Sequence, residues 1–216
     1  MSTSNQSMTV YDDIKSKIER GVLSPAESLR EMDLAAQYSV SRNTVKKVLL
    51  MLERDKLVTI ERNKGAKVRS YSMKEVLDFL ELRSMMEGFI VRLAAAVITD
   101  DQIVRLQEIL ALMRGFKEHN DLVSYSQHNQ LFHGVIYEAC PNLVTVNLLL
   151  SLKAQMKKYN TKTILVPGRS DLSFAEHSAI FEAMLQRNGD LAELLMRKHI
   201  DNVRTAFKEN YKLLFY

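Results

Sequence analysis

Several residue types that mark other classes of protein are scarce in this chain of 216 residues. A single cysteine, Cys140, excludes an internal disulfide framework and favours a reducing compartment. Three prolines and seven glycines exclude a collagen-like or linker-dominated chain. Apolar runs such as residues 93–98 are far too short to cross a bilayer. The polar N-terminus has no apolar signal core, so we expect a cytoplasmic protein that does not contact a membrane.

Hydrophobic residues make up 46% of the chain, which is enough for real cores in one or two domains.

The positive charge is concentrated near the N-terminus. Residues 41–70 hold 9 Lys and Arg against 3 Asp and Glu, whereas residues 71–216 hold 17 of each. Such a stretch suits a polyanionic partner, because neutralised phosphates supply most nonspecific nucleic-acid affinity. The alternative is an ordinary solvated charged face.

The N-terminal third has the pattern of three short helices followed by a β-hairpin. Hydrophobic period and punctuation predict helices over about 10–20, 31–37 and 42–54, and strands over about 57–60 and 66–69. Ser41 is a good N-cap for the third helix. This order predicts a winged helix-turn-helix, with a generic small helical subdomain as the alternative.

From Ser72 onward the pattern is almost entirely helical. The predicted helices cover about 72–98, 100–119, 122–139, 143–159, 174–187 and 190–213. Capping boxes at Ser72–Glu75 and Ser173–Glu176 begin the first and fifth of them. The sequence therefore predicts a mainly α protein. Residues 1–72 form the winged helix-turn-helix, and residues 73–216 form an antiparallel all-helical bundle of six or so helices.

Motifs in both parts carry a resemblance to one family. The N-terminal part contains LAAQYSVSRNTVKKVLLMLERDKLV, and the C-terminal part contains Glu81-Leu82-Arg83 with Glu87, NQLFH at 129–133, Glu176-His177 and Lys198-His199. Over nearly its whole length the chain resembles the GntR family of bacterial transcription regulators, in the FadR-like branch with an FCD effector domain. The compact bundle is most similar to the VanR-type subgroup. The resemblance implies a homodimer that binds a palindromic double-stranded DNA operator.

The chain departs from the family pattern at four informative positions. The family usually has glycine where this chain has Ala26 and Lys56, arginine where it has Lys46, and aspartate where it has Asn129. Lysine still reaches a phosphate or a guanine, but it lacks the planar bidentate fork of arginine. We therefore do not carry the family's usual operator sequence over to this chain.

The predicted DNA-contacting residues are Ser41, Arg42, Asn43, Thr44, Lys46, Lys47, Lys64 and Gly65. The first turns of a recognition helix enter the major groove. There Arg42 and Lys46 suit guanine and Asn43 suits adenine, while the methyl group of Thr44 suits thymine. The hydroxyl of Ser41 and the charge of Lys47 suit phosphates. Lys64 and Gly65 lie in the wing, where the adjacent minor groove is accessible.

Three of the five histidines form a candidate metal site with an asparagine. Asn129 and His133 are four residues apart and share a helix face. His177 lies 12 residues before Gly189 and His199 lies 10 after it, so antiparallel helices bring the two to nearly the same level. Three imidazoles and an amide oxygen then suit a divalent ion, zinc or nickel above all. The alternative is a set of hydrogen-bonded core histidines.

Arg83 is the candidate effector-binding residue, because a bidentate guanidinium in an otherwise apolar helix suits a small organic acid. Its alternative role is a salt bridge to Glu81 or Glu87. The leading function is thus a ligand-responsive transcriptional regulator, a repressor released by a carboxylic acid bound through the metal. Two alternatives are a metal-sensing regulator and a metal-dependent hydrolase fused to a DNA-binding module. We predict that the chain is not an enzyme, because no carboxylate is spaced as a general base.

Overall fold

The computed structural model describes residues 3–61, 65–156, 159 and 162–215. The N-terminal elements are α1 (Thr3–Glu19), β1 (Ser28–Leu29), α2 (Glu31–Tyr38), α3 (Arg42–Arg54), β2 (Val58–Glu61) and β3 (Gly65–Val68). The remaining elements are α4 (Met73–Val97), α5 (Asp100–Glu118), α6 (Leu122–Ala139), α7 (Leu143–Gln155), a 3₁₀ turn (Lys162–Leu165), α8 (Arg169–Leu185), α9 (Gly189–Glu209) and α10 (Tyr211–Phe215). The chain divides into two units between Ser72 and Met73, and a short segment from Ala154 is grouped with the first.

The first unit is a winged helix-turn-helix, as the sequence predicts. Ser41 caps α3, since its hydroxyl oxygen accepts a hydrogen bond from the backbone amide of Thr44 at 3.1 Å. The apolar stripe of α3 is fully buried beneath α1 and α2; it consists of Val45, Val48, Leu49 and Leu52. The strands form a three-stranded antiparallel sheet in the order β1-β3-β2. This packing leaves the polar side of α3 on the outside.

The structure differs from the predicted boundaries of this unit in two places. Helix α1 begins at Thr3 rather than near residue 10, because its first turns carry polar residues that give no hydrophobic period. Strand β1 was not predicted. It has only two residues, Ser28 and Leu29, and its pairing partner in β3 lies far along the chain. A strand this short has no sequence signal of its own.

Three of the positive-φ positions in the first unit bear on the choice between glycine and other residues. Ala26 has φ 64° and Lys56 has φ 57°, at the two positions where the resemblance implies glycine. Gly65 has φ 87°, and a Cβ atom there would lie 2.8 Å from the carbonyl oxygen of Leu29. The backbone conformation and the close approach of β1 therefore both require glycine at position 65.

The second unit is a bundle of helices around one apolar core, which confirms the predicted fold class. Residues of α4, α5, α6, α8 and α9 contribute most of that core, including Ile90, Leu106, Phe132, Ile180 and Met196. Gly189 begins α9 after Asn188, whose side chain accepts a hydrogen bond from Leu191. Among the described residues, no helix combines the length and apolarity needed to cross a membrane.

One boundary in this unit matters for the site. The Ser173–Glu176 capping box does not begin a helix, because α8 already starts at Arg169, directly after Gly168 in a left-handed conformation. Ser173 and Glu176 consequently lie inside the helix, where the Ser173 hydroxyl contacts His177 one turn on and the Glu176 carboxylate contacts His199 of α9. The earlier start also places Arg169 on α8 two turns before His177.

Candidate functional site

Three imidazole rings meet inside the second unit. His133 comes from α6, His177 from α8 and His199 from α9, and all three side chains are buried. One nitrogen from each ring lies within 4.8 Å of the others. The Nε2 atoms of His177 and His133 are 3.2 Å apart. The structure thus brings together the three histidines that the sequence predicts as metal ligands.

The second nitrogen of each ring is held by an oxygen. Nδ1 of His177 lies 2.6 Å from the carbonyl oxygen of Ser173. Nδ1 of His199 lies 2.6 Å from Oε2 of Glu176, and Nδ1 of His133 lies 2.8 Å from Oε2 of Glu87. A carbonyl or carboxylate oxygen accepts hydrogen bonds, so Nδ1 of His177 and Nδ1 of His199 carry the proton and donate it. The carboxylate of Glu87 beside Nδ1 of His133 favours the same tautomer in that ring. Each Nε2 then presents a lone pair to the centre, which is the arrangement that metal-binding histidines use.

Burial keeps these rings neutral. It lowers the pKa of His133 to about 4, against the opposing charge of Glu87. It lowers the pKa of His199 to about 4 as well, against the hydrogen bond to Glu176, and it holds the pKa of His177 well below its usual value. Neutral imidazole is the protonation state that binds a metal ion.

Asn129 lies on α6 one turn before His133. Its side-chain oxygen, Oδ1, is buried and accepts no hydrogen bond from any described residue. An amide oxygen in this position is costly unless something positive or hydrogen-donating contacts it. The orphaned oxygen and the three converging Nε2 atoms are a donor set that fits a divalent ion such as zinc or nickel.

Arg83 pairs with Glu87, and its role as an effector clamp stays a prediction. Its Nε donates to Oε1 of Glu87, and both side chains are buried, so it forms the salt bridge that the sequence leaves as the alternative. Lys153 of α7 lies 3.4 Å from the same oxygen. Burial alone would raise the pKa of Glu87, but the charges of Arg83 and Lys153 outweigh it and hold that pKa well below its usual value. Arg83 thus helps to keep Glu87 ionised beneath His133.

Glu176 holds His199 from the other side of the cluster. Its Oε2 also accepts a hydrogen bond from Nη2 of Arg169 at 2.7 Å, and its Oε1 accepts one from Asn202 at 2.8 Å. Burial opposes ionisation here, but the hydrogen bond from His199, the charge of Arg169 and the hydrogen bond from Asn202 lower the pKa of Glu176 to about 2. Sequence reasoning did not single out Arg169. The i, i+4, i+8 spacing of Arg169, Ser173 and His177 is the signal that was hidden by the misplaced start of α8.

Most of the predicted DNA-contacting residues lie at the beginning of α3. Ser41, Arg42, Asn43, Lys46 and Lys47 are all exposed at the beginning of α3, and Thr44 is half-buried. The hydroxyl of Ser41 is within hydrogen-bonding distance of that of Thr44, at 2.9 Å. Arg42 reaches back to Glu31 of α2, with Nη2 3.3 Å from Oε2.

The wing is described only in part. Lys64 lies outside the described residues, and Gly65 begins strand β3. The role of Gly65 in the fold is established by its φ angle and its approach to Leu29.

Family models match both units. The model of the bacterial regulatory proteins of the gntR family matches residues 6–68, and the FCD domain model matches residues 78–202. The chain is 22% identical to the HTH-type transcriptional repressor RspR of Escherichia coli K12, over 93% of this chain and 88% of that one. It is 25% identical to the gluconate operon transcriptional repressor of Bacillus licheniformis, over 98% and 84% of the two chains.

Solved structures share the fold. E. coli McbR/YncC superposes with a TM-score of 0.74 at 18% identity, covering 94% of this chain and 98% of that one. A putative GntR regulator from Rhodococcus sp. RHA1 gives a TM-score of 0.73 at 20% identity, covering 96% and 99%. The curated relatives are DNA-binding regulators, so the hydrolase alternative is set aside. The chain belongs to the GntR family of bacterial regulators, and it is a transcriptional regulator in which a winged helix-turn-helix precedes an FCD effector domain.

Proposed function

We propose that this protein is a repressor that binds a palindromic operator as a homodimer and is released by a small organic acid bound through a metal in the FCD domain. The DNA surface is the exposed start of α3, where the bases are contacted by Arg42, Asn43, Thr44 and Lys46. The phosphate backbone is contacted by Ser41 and Lys47, and the minor groove by Lys64 and Gly65. Two symmetric half-sites match a two-fold dimer. Membership of the VanR-type subgroup remains a prediction.

The observation that carries the proposal is the set of three Nε2 lone pairs facing one another in a buried centre. Lone pairs at this separation repel each other unless a cation or a proton lies between them, and burial disfavours the proton. His133, His177 and His199 would hold the ion together with Oδ1 of Asn129. A bound divalent ion would supply a positive charge and open coordination positions for an anionic ligand.

Asparagine in place of the family's aspartate changes the charge of that centre. Three neutral imidazoles and a carboxylate would leave a divalent ion with a formal charge of +1, whereas a neutral amide leaves the full +2. An amide oxygen is also a weaker ligand than a carboxylate. Asn129 is therefore expected to lower metal affinity and to increase the attraction for an acid. Metal and acid then bind cooperatively, each one raising the affinity for the other.

An effector can change operator affinity only by the difference between its own affinities for the DNA-binding and the released arrangements of the protein. The test is a fluorescence anisotropy titration of a selected operator in three conditions: metal-free, with zinc alone, and with zinc plus organic acids. We expect zinc with an acid to lower operator affinity, and zinc alone to have little effect. Release by zinc alone would instead identify a metal sensor. No change in any condition, with a full set of carboxylic acids, would contradict the proposal.

A further inference from the structure

Two helices present matching polar stripes to the interior of the FCD domain. On α6, Tyr125 and Asn129 precede His133 at intervals of one turn. On α8, Arg169 and Ser173 precede His177 at the same intervals. Eight residues of helix rise by about 12 Å, so the backbone at the far end of each stripe lies well away from the histidine cluster, while the long side chain of Arg169 reaches back as far as Glu176. The histidines and Asn129 account for one end of the stripes only.

The other end contains buried donors with no partner. Arg169 is only 4% exposed, and its Nη2 donates to Glu176. Its Nε and Nη1 are buried and make no hydrogen bond within the described part of the chain. A buried guanidinium with two nitrogens that make no hydrogen bond is energetically costly. A charged group loses its favourable hydration on burial, and here no protein hydrogen bond replaces the lost water at those two nitrogens. Arg169 therefore has donors available to a ligand that the fold itself does not occupy.

Tyr125 presents a hydroxyl to the same place. Its side chain is completely buried, and its hydroxyl makes no hydrogen bond of ordinary geometry among the described residues. Burial raises the pKa of Tyr125 to about 12, while the neighbouring Ser173 and the charge of Arg169 oppose that rise. Ser173, which neighbours the Tyr125 hydroxyl, lies one turn after Arg169 on the same face of α8, so Arg169 and Tyr125 lie on the same side of the domain interior. A neutral phenol there is a hydrogen-bond donor.

The charges attract an anion at this end weakly, and more strongly when the other end is positive. Glu176 accepts from Arg169 and neutralises part of its charge, so the two together attract an anion weakly. The same oxygen of Glu176 accepts from His199, which connects Arg169 directly to the histidine cluster. A divalent ion at the histidines would make the whole pocket positive.

We infer that Arg169 and Tyr125 form a second anchoring position, separate from the histidines, and that the effector is a short acid with two oxygen-bearing groups. One group occupies the histidine end beside Asn129. The other, an acidic group, accepts hydrogen bonds from Arg169 and from the hydroxyl of Tyr125. A dicarboxylate has this chemistry, whereas a simple fatty acid of the same length does not. The inference rests on the proposed function, since it places the first group at the metal centre.

The test compares acids of equal length on the full-length protein loaded with zinc. Isothermal calorimetry measures succinate against butyrate, and glutarate against pentanoate. We expect at least one dicarboxylate to bind about tenfold or more tightly than its monocarboxylate partner, a difference of about 1.4 kcal/mol. Arg169→Gln should abolish that preference. Tyr125→Phe removes only an unpartnered hydroxyl and keeps the fold, and it should weaken the dicarboxylate while leaving the monocarboxylate unchanged.

Arg105→Gln is the matched control, because Arg105 is an exposed arginine of the same domain paired with Glu138. Equal affinity for both acids in each pair would overturn the inference, as would a preference that survives both Arg169→Gln and Tyr125→Phe. Zinc titration without acid is a separate readout, and Tyr125→Phe should not change it. If zinc does not bind, the proposed metal centre fails. The same comparison on metal-free protein then decides the inference alone.

Discussion

The Nε2 atom of His177 lies 3.2 Å from the Nε2 atom of His133, and neither nitrogen carries a proton when its Nδ1 donates to an oxygen. Two lone pairs at that distance form no hydrogen bond. The fold therefore holds the rings in an arrangement that is unfavourable without a cation. The buried Glu87 and the carbonyl oxygen of Ser173 maintain it, by fixing the ring orientation from behind.

Stability of the metal-free protein should fall as the pH is lowered from about 6.5 to about 4. An unfolded histidine protonates near pH 6.5, whereas His133 and His199 in the folded state have pKa values of about 4. Over this window the unfolded chain binds protons that the folded chain does not. Each of these two histidines contributes a loss of about 3 kcal/mol in the free energy of unfolding.

Urea unfolding in the presence of a chelator measures this loss of stability, and His199→Gln should make the loss smaller. Constant stability across the window would contradict neutral, buried rings.

Asn129→Asp should tighten metal binding and weaken acid binding. A carboxylate is a stronger ligand than an amide, and it cancels one positive charge at the centre. We expect zinc affinity to rise about tenfold or more, and the affinity of the zinc-loaded protein for an acid that it binds to fall by a similar factor. Competition with a chromophoric chelator measures the first change, and calorimetry measures the second. Asn147→Asp is the control, because Asn147 is an exposed asparagine of α7 in the same domain. A zinc affinity unchanged in Asn129→Asp would remove Asn129 from the ligand set.

Ala26→Gly and Lys56→Gly should each stabilise the DNA-binding unit. Both residues have positive φ, which costs a side chain with a Cβ about 1–2 kcal/mol, while glycine loses about 0.5–1 kcal/mol through its extra freedom in the unfolded chain. The net gain is about 0.5–1 kcal/mol per substitution. Ala36→Gly is the matched control, since Ala36 is exposed within α2 and the change there should destabilise. Thermal unfolding of the three variants checks the signs. A loss of stability in Ala26→Gly would contradict the left-handed conformation.

Arg42→Ala and Lys47→Ala should weaken operator binding in different ways. Loss of a base contact at Arg42 should cost about 1–3 kcal/mol and relax the preference at one base pair in each half-site. Loss of a phosphate contact at Lys47 should weaken binding to all sequences alike and reduce the salt dependence. Anisotropy titrations of a selected operator and a scrambled one, at several salt concentrations, separate the two. If both variants match the parent on both DNAs, α3 does not face the DNA.

Much of this architecture could be predicted from the sequence because its signals are local. The N-cap at Ser41 and the apolar stripe of α3 both lie within one element. His177 and His199 were placed at one level by counting residues on either side of Gly189, and His133 was placed by its spacing from Asn129. The role of Arg83 could not be settled that way. Its pairing with Glu87 is an i, i+4 contact like many others, and the sequence does not show that both charges are buried.

The parts that were not predicted depend on contacts distant in sequence. Strand β1 exists because β3 pairs with it. Its two residues are too few to show the alternation of apolar and polar side chains that marks a strand in the sequence. The start of α8 was misplaced because Ser173 and Glu176 imitate a capping box, whereas Glu176 instead contacts Arg169 and His199. That misplacement hid Arg169, since two turns of helix were needed to align it with His177.

The metal content of the full-length protein tests the central claim most directly. The protein is dialysed against zinc or nickel, freed of excess metal, and analysed by mass spectrometry of the elements beside His177→Ala and the control His119→Ala. His119 is an exposed residue whose ring contacts the backbone of Gly115. The account predicts about one ion per chain in the parent and in His119→Ala, and close to none in His177→Ala. A parent that retains no ion, or a His177→Ala variant that retains as much as the parent, would contradict it.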